Sequence, residues 1–260
     1  MRKTNIERAY FGEPVRGQRY KVETIRNRDH LLVRVSTETQ MFDVILALPD
    51  PARYTFISIS GENCEIHNLR ADTDIANTSD NVIPRIAEEI SYTRDCPAGD
   101  IPNIEVDGPR FSSSEGIPLS GDMTLSFHSM SYPTARLVWH CPYFCIFTSS
   151  NGQIGGDDYH EYLLLKLNGE NWDSAENVKN RISVDYAKDF EGWKSWLEQN
   201  KQGIDCTVTL KREANKIIMQ TENLGIVINS ATTILDGADE VYIALTGDQC
   251  AITNIRINRT

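Results

Sequence analysis

An internal repeat constrains the fold of this chain more than any other feature of its sequence. Residues 17–70 recur at residues 203–256 without a gap, and the best-matched stretches, 61–70 and 247–256, share five of ten residues. Self-similarity of this kind predicts two structural units. Because the N-terminus aligns with residue 187, we expect the first unit to contain only the back half of the unit that the second contains whole.

The repeat also predicts the domain organisation. Residues 1–75 should form a partial β-sandwich repeat, equivalent to the C-terminal half of the complete unit. Residues 76–98 should form a linker with a short helix: residues 72–80 are polar and turn-rich, and the segment 83–90 is expected to form one or two helical turns. Residues 99–260 should form a complete β-sandwich.

Composition and charge narrow the function classes. The chain has 260 residues, of which 40 % are hydrophobic and 24 % charged, as in ordinary soluble domains. Its formal charge of -11 argues against nucleic-acid binding, which needs clustered Lys and Arg. No apolar run reaches the roughly 18 residues of a membrane span, and the first residues lack the apolar core of a signal peptide. We therefore expect a cytoplasmic protein that binds neither nucleic acid nor membrane.

The cysteines favour reduced, buried thiols over disulfides. Cys141 and Cys145 are four residues apart in a predicted strand, so about 13 Å separates their Cα atoms, beyond disulfide reach. Cys64 and Cys250 occupy equivalent places in the repeat. Strand alternation predicts that both face inward, together with Ile66 and Ile252. The six cysteines are Cys64, Cys96, Cys141, Cys145, Cys206 and Cys250.

The second unit has the pattern of a succession of antiparallel strands. Leu125 and Phe127 alternate with Ser126 and His128, and short Asn- or Gly-bearing connections that suit hairpins separate the later apolar runs. A helix is expected at 190–201, where large apolar residues recur at helical spacing. Strands are expected at 123–129, 135–148, 159–167, 181–186, 204–211, 216–222, 225–234, 240–245 and 250–258.

The closing segments carry a resemblance to a known superfamily. Residues 242–247 followed by 252–257 resemble the final strand pair of concanavalin-like (laminin-G-like) jelly rolls, and the hairpin 206–220 is similar to their preceding ladder. The block 139–152 resembles a module of uncharacterised clostridial proteins, found beside signalling or hydrolase domains. The resemblance implies an all-β, antiparallel jelly-roll sandwich preceded by a partial copy of the same unit. Lectins, glycosidases and structural modules all use this fold.

No catalytic signature accompanies the fold pattern. Glycosidases of this fold carry paired carboxylates on one strand, and the nearest run, 157–161, follows two glycines and has the character of a loop. No G-x-S-x-G motif for a serine nucleophile occurs. Enzymatic activity therefore stays undecided, with a non-catalytic role favoured. No cofactor is expected, although loop oxygens of Asn151, Asp157 and Asp158 would suit a structural calcium ion.

A patch of polar and aromatic residues is the candidate ligand site. Sugars offer an apolar face and a polar rim, which aromatic rings and planar hydrogen-bonding side chains recognise. Alternation along strands 135–148 and 159–167 places such residues together on one sheet face, opposite a row of leucines; an ordinary solvated face is the alternative. The predicted ligand-binding residues are His128, Arg136, His140, Tyr162, Lys166 and Trp172.

Three functions remain open from the sequence. The first is a non-catalytic module that binds a carbohydrate or similar polar ligand. The second is a structural or regulatory protein-interaction module appended to an enzyme domain absent from this chain, and the third is an unrecognised glycoside hydrolase. The half unit at residues 1–75 would expose a bare apolar face. We expect that face to be covered by residues 100–260, by a second copy in a homodimer, or by a missing upstream domain.

Overall fold

The regular secondary structure in the described part of the chain is almost entirely β-strand. The computed structural model describes residues 3–7, 17–49, 55–72, 83–156, 158–172 and 176–259. Within these ranges it has sixteen strands and one α-helix, and all strand pairs are antiparallel. The chain divides into two compact units, Met1–Ile90 and Ser91–Thr260. The predicted fold class, an all-β antiparallel jelly-roll sandwich, is confirmed.

The first unit contains one four-stranded sheet in the order β1-β4-β3-β2. Strands β2, β3 and β4 follow one another as a meander, and β1 adds to the outside of β4. The strand bounds are Lys3–Glu7 (β1), Lys21–Asn27 (β2), His30–Ser36 (β3) and Met41–Ala47 (β4).

One face of this sheet is covered by the segment 83–90. Ile83 is buried against Leu32 and Ile45. The segment was expected to be helical, but the structure shows it to be irregular. Polar contacts to the β2–β3 turn explain the difference. The guanidinium of Arg85 donates to Asp29 at 3.0 Å, and the amide of Ile86 donates to His30 at 3.2 Å in place of a carbonyl within a helix.

The second unit is a sandwich of a five-stranded and a seven-stranded sheet. Their strand orders are β10-β9-β8-β15-β6 and β11-β14-β13-β12-β7-β16-β5. The five-stranded sheet consists of Ile117–Pro118 (β6), Pro142–Thr148 (β8), His160–Lys166 (β9), Asn171–Trp172 (β10) and Tyr242–Gly247 (β15). The seven-stranded sheet consists of Ile104–Val106 (β5), Met123–Ser131 (β7), Val178–Tyr186 (β11), Ile204–Glu213 (β12), Lys216–Asn223 (β13), Ile226–Ile234 (β14) and Cys250–Arg259 (β16).

The hydrophobic core of the second unit lies between its two sheets. Burial alternates strictly along β7 and β14, as expected for strands that are buried on one face. Phe127 of the seven-stranded sheet meets Phe144 of the five-stranded sheet with ring centroids 6.1 Å apart. The helix Trp193–Gln202 (α1) connects β11 to β12 and buries Trp196. This helix, the only one in the described ranges, is too short to cross a membrane.

Three consecutive strands of each unit pair with one another in the same register. Strands β12, β13 and β14 pair in the registers of β2, β3 and β4, shifted by 186 residues. The first hairpin turns through a left-handed residue in both units, Arg28 (φ 48) and Ala214 (φ 52). The side chains of Arg26 and Arg212 donate to the carbonyls of these two residues, at 2.9 and 3.2 Å. Strand β1 occupies the place of β11, a counterpart that the alignment from residue 187 did not include.

The match ends at residues 55–72, which form no strand in the first unit. Cys250 and Ile252 face inward in β16 as predicted, and both are fully buried. The same prediction is wrong for Cys64 and Ile66, which are exposed.

Strand partners explain this difference between the copies. In the second unit β15 lies between β8 and β6, and β16 lies between β7 and β5. These four strands all belong to residues 104–148, and none of the described strands of the first unit corresponds to them. A strand whose backbone groups have no neighbour to pair with gains nothing from extended structure. Residues 55–72 therefore keep the sequence of two strands without their conformation.

Candidate functional site

The outer face of the five-stranded sheet carries an unusual set of side chains. Cross-strand pairing places them in rows, because directly opposed residues share a face. One row joins Lys166, Tyr143 and Thr246, and the next joins Leu164, Cys145 and Ala244. The opposite face, with Phe144, packs on the seven-stranded sheet. Polar, aromatic and thiol groups therefore lie on the face directed away from the seven-stranded sheet, where Tyr143, Cys145 and Lys166 are themselves buried.

A four-residue cluster occupies the centre of this face. The Arg110 amide donates to the Gly247 carbonyl at 2.8 Å beside β15, and its guanidinium donates to Glu161 at 2.5 Å and to the Tyr159 hydroxyl at 3.1 Å. The Cys145 thiol also donates to Glu161, with Sγ 3.3 Å from Oε2. We call Arg110, Cys145, Tyr159 and Glu161 the arginine–glutamate cluster.

The arginine–glutamate cluster is suited to structure more than to chemistry. Burial raises the pKa of the Cys145 thiol to about 12, and the neighbouring Glu161 carboxylate adds to the shift. Burial and the neighbouring thiol likewise raise the pKa of Tyr159 well above its ordinary value. Both groups therefore stay protonated and donate to the carboxylate. A thiol in this state is not a nucleophile, since the thiolate is the reactive form.

A second cluster surrounds Lys166 at the end of the same face. The ammonium group of Lys166 lies 5.8 Å from the ring centroid of Trp139 and 5.2 Å from that of Tyr143, within cation–π range. It also pairs with Glu170 at 2.8 Å. The Tyr143 hydroxyl donates to the Trp139 carbonyl at 2.8 Å, which ties the loop before β8 to the sheet. These contacts bury Lys166 and hold the Trp139 ring over the sheet.

Trp172 lies next to this cluster on the edge strand β10. It pairs with Leu164, and Leu164 and Lys166 share a face because they are two residues apart on β9. The diagonal distance between the Cα atoms of Trp172 and Lys166 is then about 7–8 Å. Trp172 is 56 % exposed and Trp139 is 37 % exposed. We call Trp139, Tyr143, Lys166, Glu170 and Trp172 the tryptophan platform.

The structure brings together two of the six predicted site residues, Lys166 and Trp172. His128 faces the solvent from β7 of the other sheet, where its Nδ1 lies 2.9 Å from Asp205. Tyr162 is fully buried, and its hydroxyl donates to Asp236 at 2.8 Å. A bulge explains the error for Tyr162.

At the bulge, Leu163 pairs with Ile146 but Glu161 pairs with Phe147, which leaves Tyr162 outside the ladder. The alternation that begins at Lys166 therefore stops at Leu163. Glu161 reaches the outer face in place of Tyr162, because the extra residue of a bulge shifts the alternation of side chains by one position.

Arg136 and His140 were placed on the first part of a predicted strand, and that part is not extended in the structure. The predicted strand 135–148 begins only at Pro142, and the preceding residues form turns. The His140 amide donates to the Leu137 carbonyl at 3.0 Å, and the Arg136 amide donates to His140 Nδ1 at 3.2 Å. His140 is buried, with Nε2 3.8 Å from Asp248, whereas Arg136 is exposed. His140 therefore shapes the loop that carries Trp139.

The loop proposed for calcium uses its oxygens for its own hydrogen bonds. Asp158 accepts from the amide of Ser150 at 2.7 Å, and Asn151 accepts from the amide of Gln153 at 3.0 Å. Asp157 lies outside the described residues. Among the described residues no group of three or more His, Cys, Asp or Glu side chains could hold a metal ion. Calcium binding stays a prediction.

Comparison with known proteins adds little to the geometry. Neither a protein-family model nor a curated protein sequence matches the chain. Among solved structures, a single mutant and a double mutant of congerin II align over 56 % of this chain and 98 % of their own, at 14 % and 15 % sequence identity. The TM-score is 0.29 for both. A similarity this distant carries no argument about ligand or activity.

Proposed function

We propose that the second unit is a non-catalytic ligand-binding module and that the tryptophan platform binds a carbohydrate or a similar polar ligand. The observation that supports the proposal is the pair of exposed indole rings, Trp139 beside Lys166 and Trp172 on the neighbouring strand, together with the Lys166–Glu170 ion pair. Indole rings can stack on the apolar face of a sugar ring, and charged side chains can bind its hydroxyl rim.

The polar groups of the platform have capacity left for a ligand. The Glu170 side chain is about half exposed, and a carboxylate can accept about four hydrogen bonds, of which Lys166 supplies one. Lys166 is held from three sides by Trp139, Tyr143 and Glu170. A site whose side chains are already fixed loses little conformational entropy on binding.

The same face offers poor support for hydrolysis. Glu161 and Glu170, two carboxylates described on this face, are each paired with a cation, at 2.5 Å from Arg110 and 2.8 Å from Lys166. A glycosidase needs a carboxyl group placed to give a proton to the leaving group, and each of these two is already engaged by a cationic side chain. We therefore rank a glycoside hydrolase last.

The test is a glycan array with the intact chain, followed by calorimetry on any bound sugar. Trp139→Ala and Trp172→Ala should each weaken binding by about tenfold or more, as for aromatic anchors of binding sites. Trp172→Ala should melt close to the parent, and Trp139→Ala should melt a few degrees lower because it loses the cation–π contact with Lys166. Trp193→Ala is the matched control, because Trp193 is also about one-third exposed but belongs to α1. Unchanged sugar affinity in both platform variants, or no bound glycan, contradicts the proposal.

A second function, protein interaction, is favoured by another aromatic surface. Tyr186, Phe190 and Trp193 form a chain of rings where β11 leads into α1, with Tyr186 and Phe190 stacked at 4.8 Å. Tyr186 is more than half exposed. Loss of a protein partner in Trp193→Ala, with sugar binding intact, would favour this function for the aromatic surface.

A further inference from the structure

One face of the first unit is apolar at most of the positions that the second unit buries in its core; Thr24 and Gln40, the counterparts of Leu210 and Ile226, are the polar exceptions. In the second unit, inward residues of β12 and β13, such as Val208, Ile217 and Met219, are at most 1 % exposed against the five-stranded sheet. Their counterparts 186 positions earlier are apolar but mostly exposed or half-buried. The apolar residues of this first-unit face are Val22, Leu31, Val33, Val35, Val44 and Leu46. We call it the open face.

Residues 55–72 add a second set of exposed apolar side chains. Phe56 is 89 % exposed and Leu69 is 68 % exposed, and Ile57, Ile59 and Ile66 are about half exposed. Ile57, Ile59, Ile66 and Leu69 correspond to Ile243, Leu245, Ile252 and Ile255 of the second unit, which are all fully buried core residues. The complete unit thus shows what this segment does when a partner is present: it packs as strands of a sandwich.

The opposite face of the first unit does not need a partner. Leu32 and Ile45 are covered there by Ile83. The cross-strand pair Arg34 and Asp43, joined at 2.8 Å, lies on the same side. In the described part of the first unit, most of the remaining apolar surface therefore lies on the open face and in residues 55–72, and Met41 at the edge of the opposite face is an exception.

A second copy of the chain supplies a matching surface. Within the described residues, the other large apolar sheet faces are those of the second unit, and they are buried against each other. The open face of another copy is apolar apart from Thr24 and Arg26 on the edge strand β2, and a two-fold axis makes one such patch its own complement. Two sheets pack face to face at about 10 Å, which is the spacing of a sandwich.

The area of the open face determines which residues must contribute to a stable interface. Four strands of about six residues cover roughly 19 by 20 Å, or about 400 Å² per copy. A stable interface buries about 800 Å² on each partner. The open face alone is therefore too small, and residues 55–72 must contribute.

We propose that two copies of this chain associate through their first units, which pack open face to open face with residues 55–72 ordered in the interface. Each copy supplies the apolar sheet that the other lacks. The result is a composite sandwich in place of the half sandwich that one copy forms.

Sedimentation velocity and hydrogen exchange on the full chain test the proposal together. The unaltered chain should form a dimer below about 100 μM, and exchange of residues 55–72 should slow as concentration rises into the dimer range. Val33→Asp places a charge in the open face and should raise the dimer dissociation constant by about 100-fold or more. Gln220→Asp is the control, since Gln220 is exposed on the outer face of the second unit.

Two results would overturn the proposal. One is a chain that stays monomeric up to about 100 μM, a range in which even a weak specific interface associates. The other is a dimer in which exchange of residues 55–72 does not depend on concentration, because the segment is then not at the interface. The exchange measurement uses the unaltered chain, so its outcome stands even if Val33→Asp unfolds the first unit.

Discussion

Replacement of Asn223 by Ala should strongly destabilise the second unit. Asn223 ends β13 and is almost fully buried. Its Oδ1 accepts from the indole N–H of Trp196 at 2.7 Å, and its Nδ2 donates to the carbonyl of Leu167 at 2.9 Å. One side chain thus joins the helix, the seven-stranded sheet and the end of β9.

The structure sets the size of the effect. Asn223→Ala leaves an indole N–H and a backbone carbonyl buried without their partner, and each such group costs about 1–3 kcal/mol. The expected loss in unfolding free energy is therefore about 2–6 kcal/mol. Trp196→Phe removes only the indole donor and should cost less through hydrogen bonding. Because the two changes share one hydrogen bond, the double variant should be about 1–2 kcal/mol more stable than the sum predicts.

Urea unfolding followed by circular dichroism measures these values. With a slope of about 2 kcal/mol per molar urea, a loss of 4 kcal/mol lowers the midpoint by about 2 M. Asn229→Ala is the control, because Asn229 accepts from Gln220 at 2.9 Å on the outer face, where an exposed hydrogen bond contributes about 1 kcal/mol or less. An Asn223→Ala variant within 1 kcal/mol of the parent, or strictly additive changes, would refute this account of the network.

Two further predictions concern pH and the repeat. Burial raises the pKa of three thiols to about 12, those of Cys141, Cys145 and Cys206. The unfolded chain releases these protons first, so the urea midpoint should be level below about pH 8 and should fall as pH rises from 9 toward 12; a level alkaline profile contradicts this. Separately, the hydrogen bond from Arg34 lowers the pKa of Asp43, so protection of residues 30–47 from hydrogen exchange should decrease as pH falls below 4. Arg34→Gln with Asp43→Asn copies the neutral pair Gln220 and Asn229 of the second unit. This double change should abolish the decrease in protection.

The sequence predicted most of the second unit because its strands are long and half buried. Alternation along β7 and β14 identifies an apolar and a polar face without reference to any neighbour. The strands β5, β6 and β10 were missed, since two or three residues carry no readable period. They exist only because a longer strand lies beside them.

The candidate site was predictable only where the local pattern continued. Lys166 and Trp172 were found because alternation and the following loop place them near one another. Tyr162 was misplaced because the bulge beside it leaves no mark in the sequence. Arg110 was missed because it reaches Glu161 from 51 residues away in the chain. Such contacts depend on the packing of the whole sheet.

The two proposals rest on different units and can fail separately. The tryptophan platform belongs to the second unit, whose core is complete, so Trp172→Ala tests ligand binding whatever the oligomeric state. The open face belongs to the first unit, so Val33→Asp tests association whatever the ligand. Residues 56–69 show that a shared sequence does not ensure a shared conformation. Their apolar side chains are exposed, whereas the equivalent residues of the second unit form a buried strand pair. The sequence pattern fixes which side chains need burial, and the available partner strands determine whether they reach it.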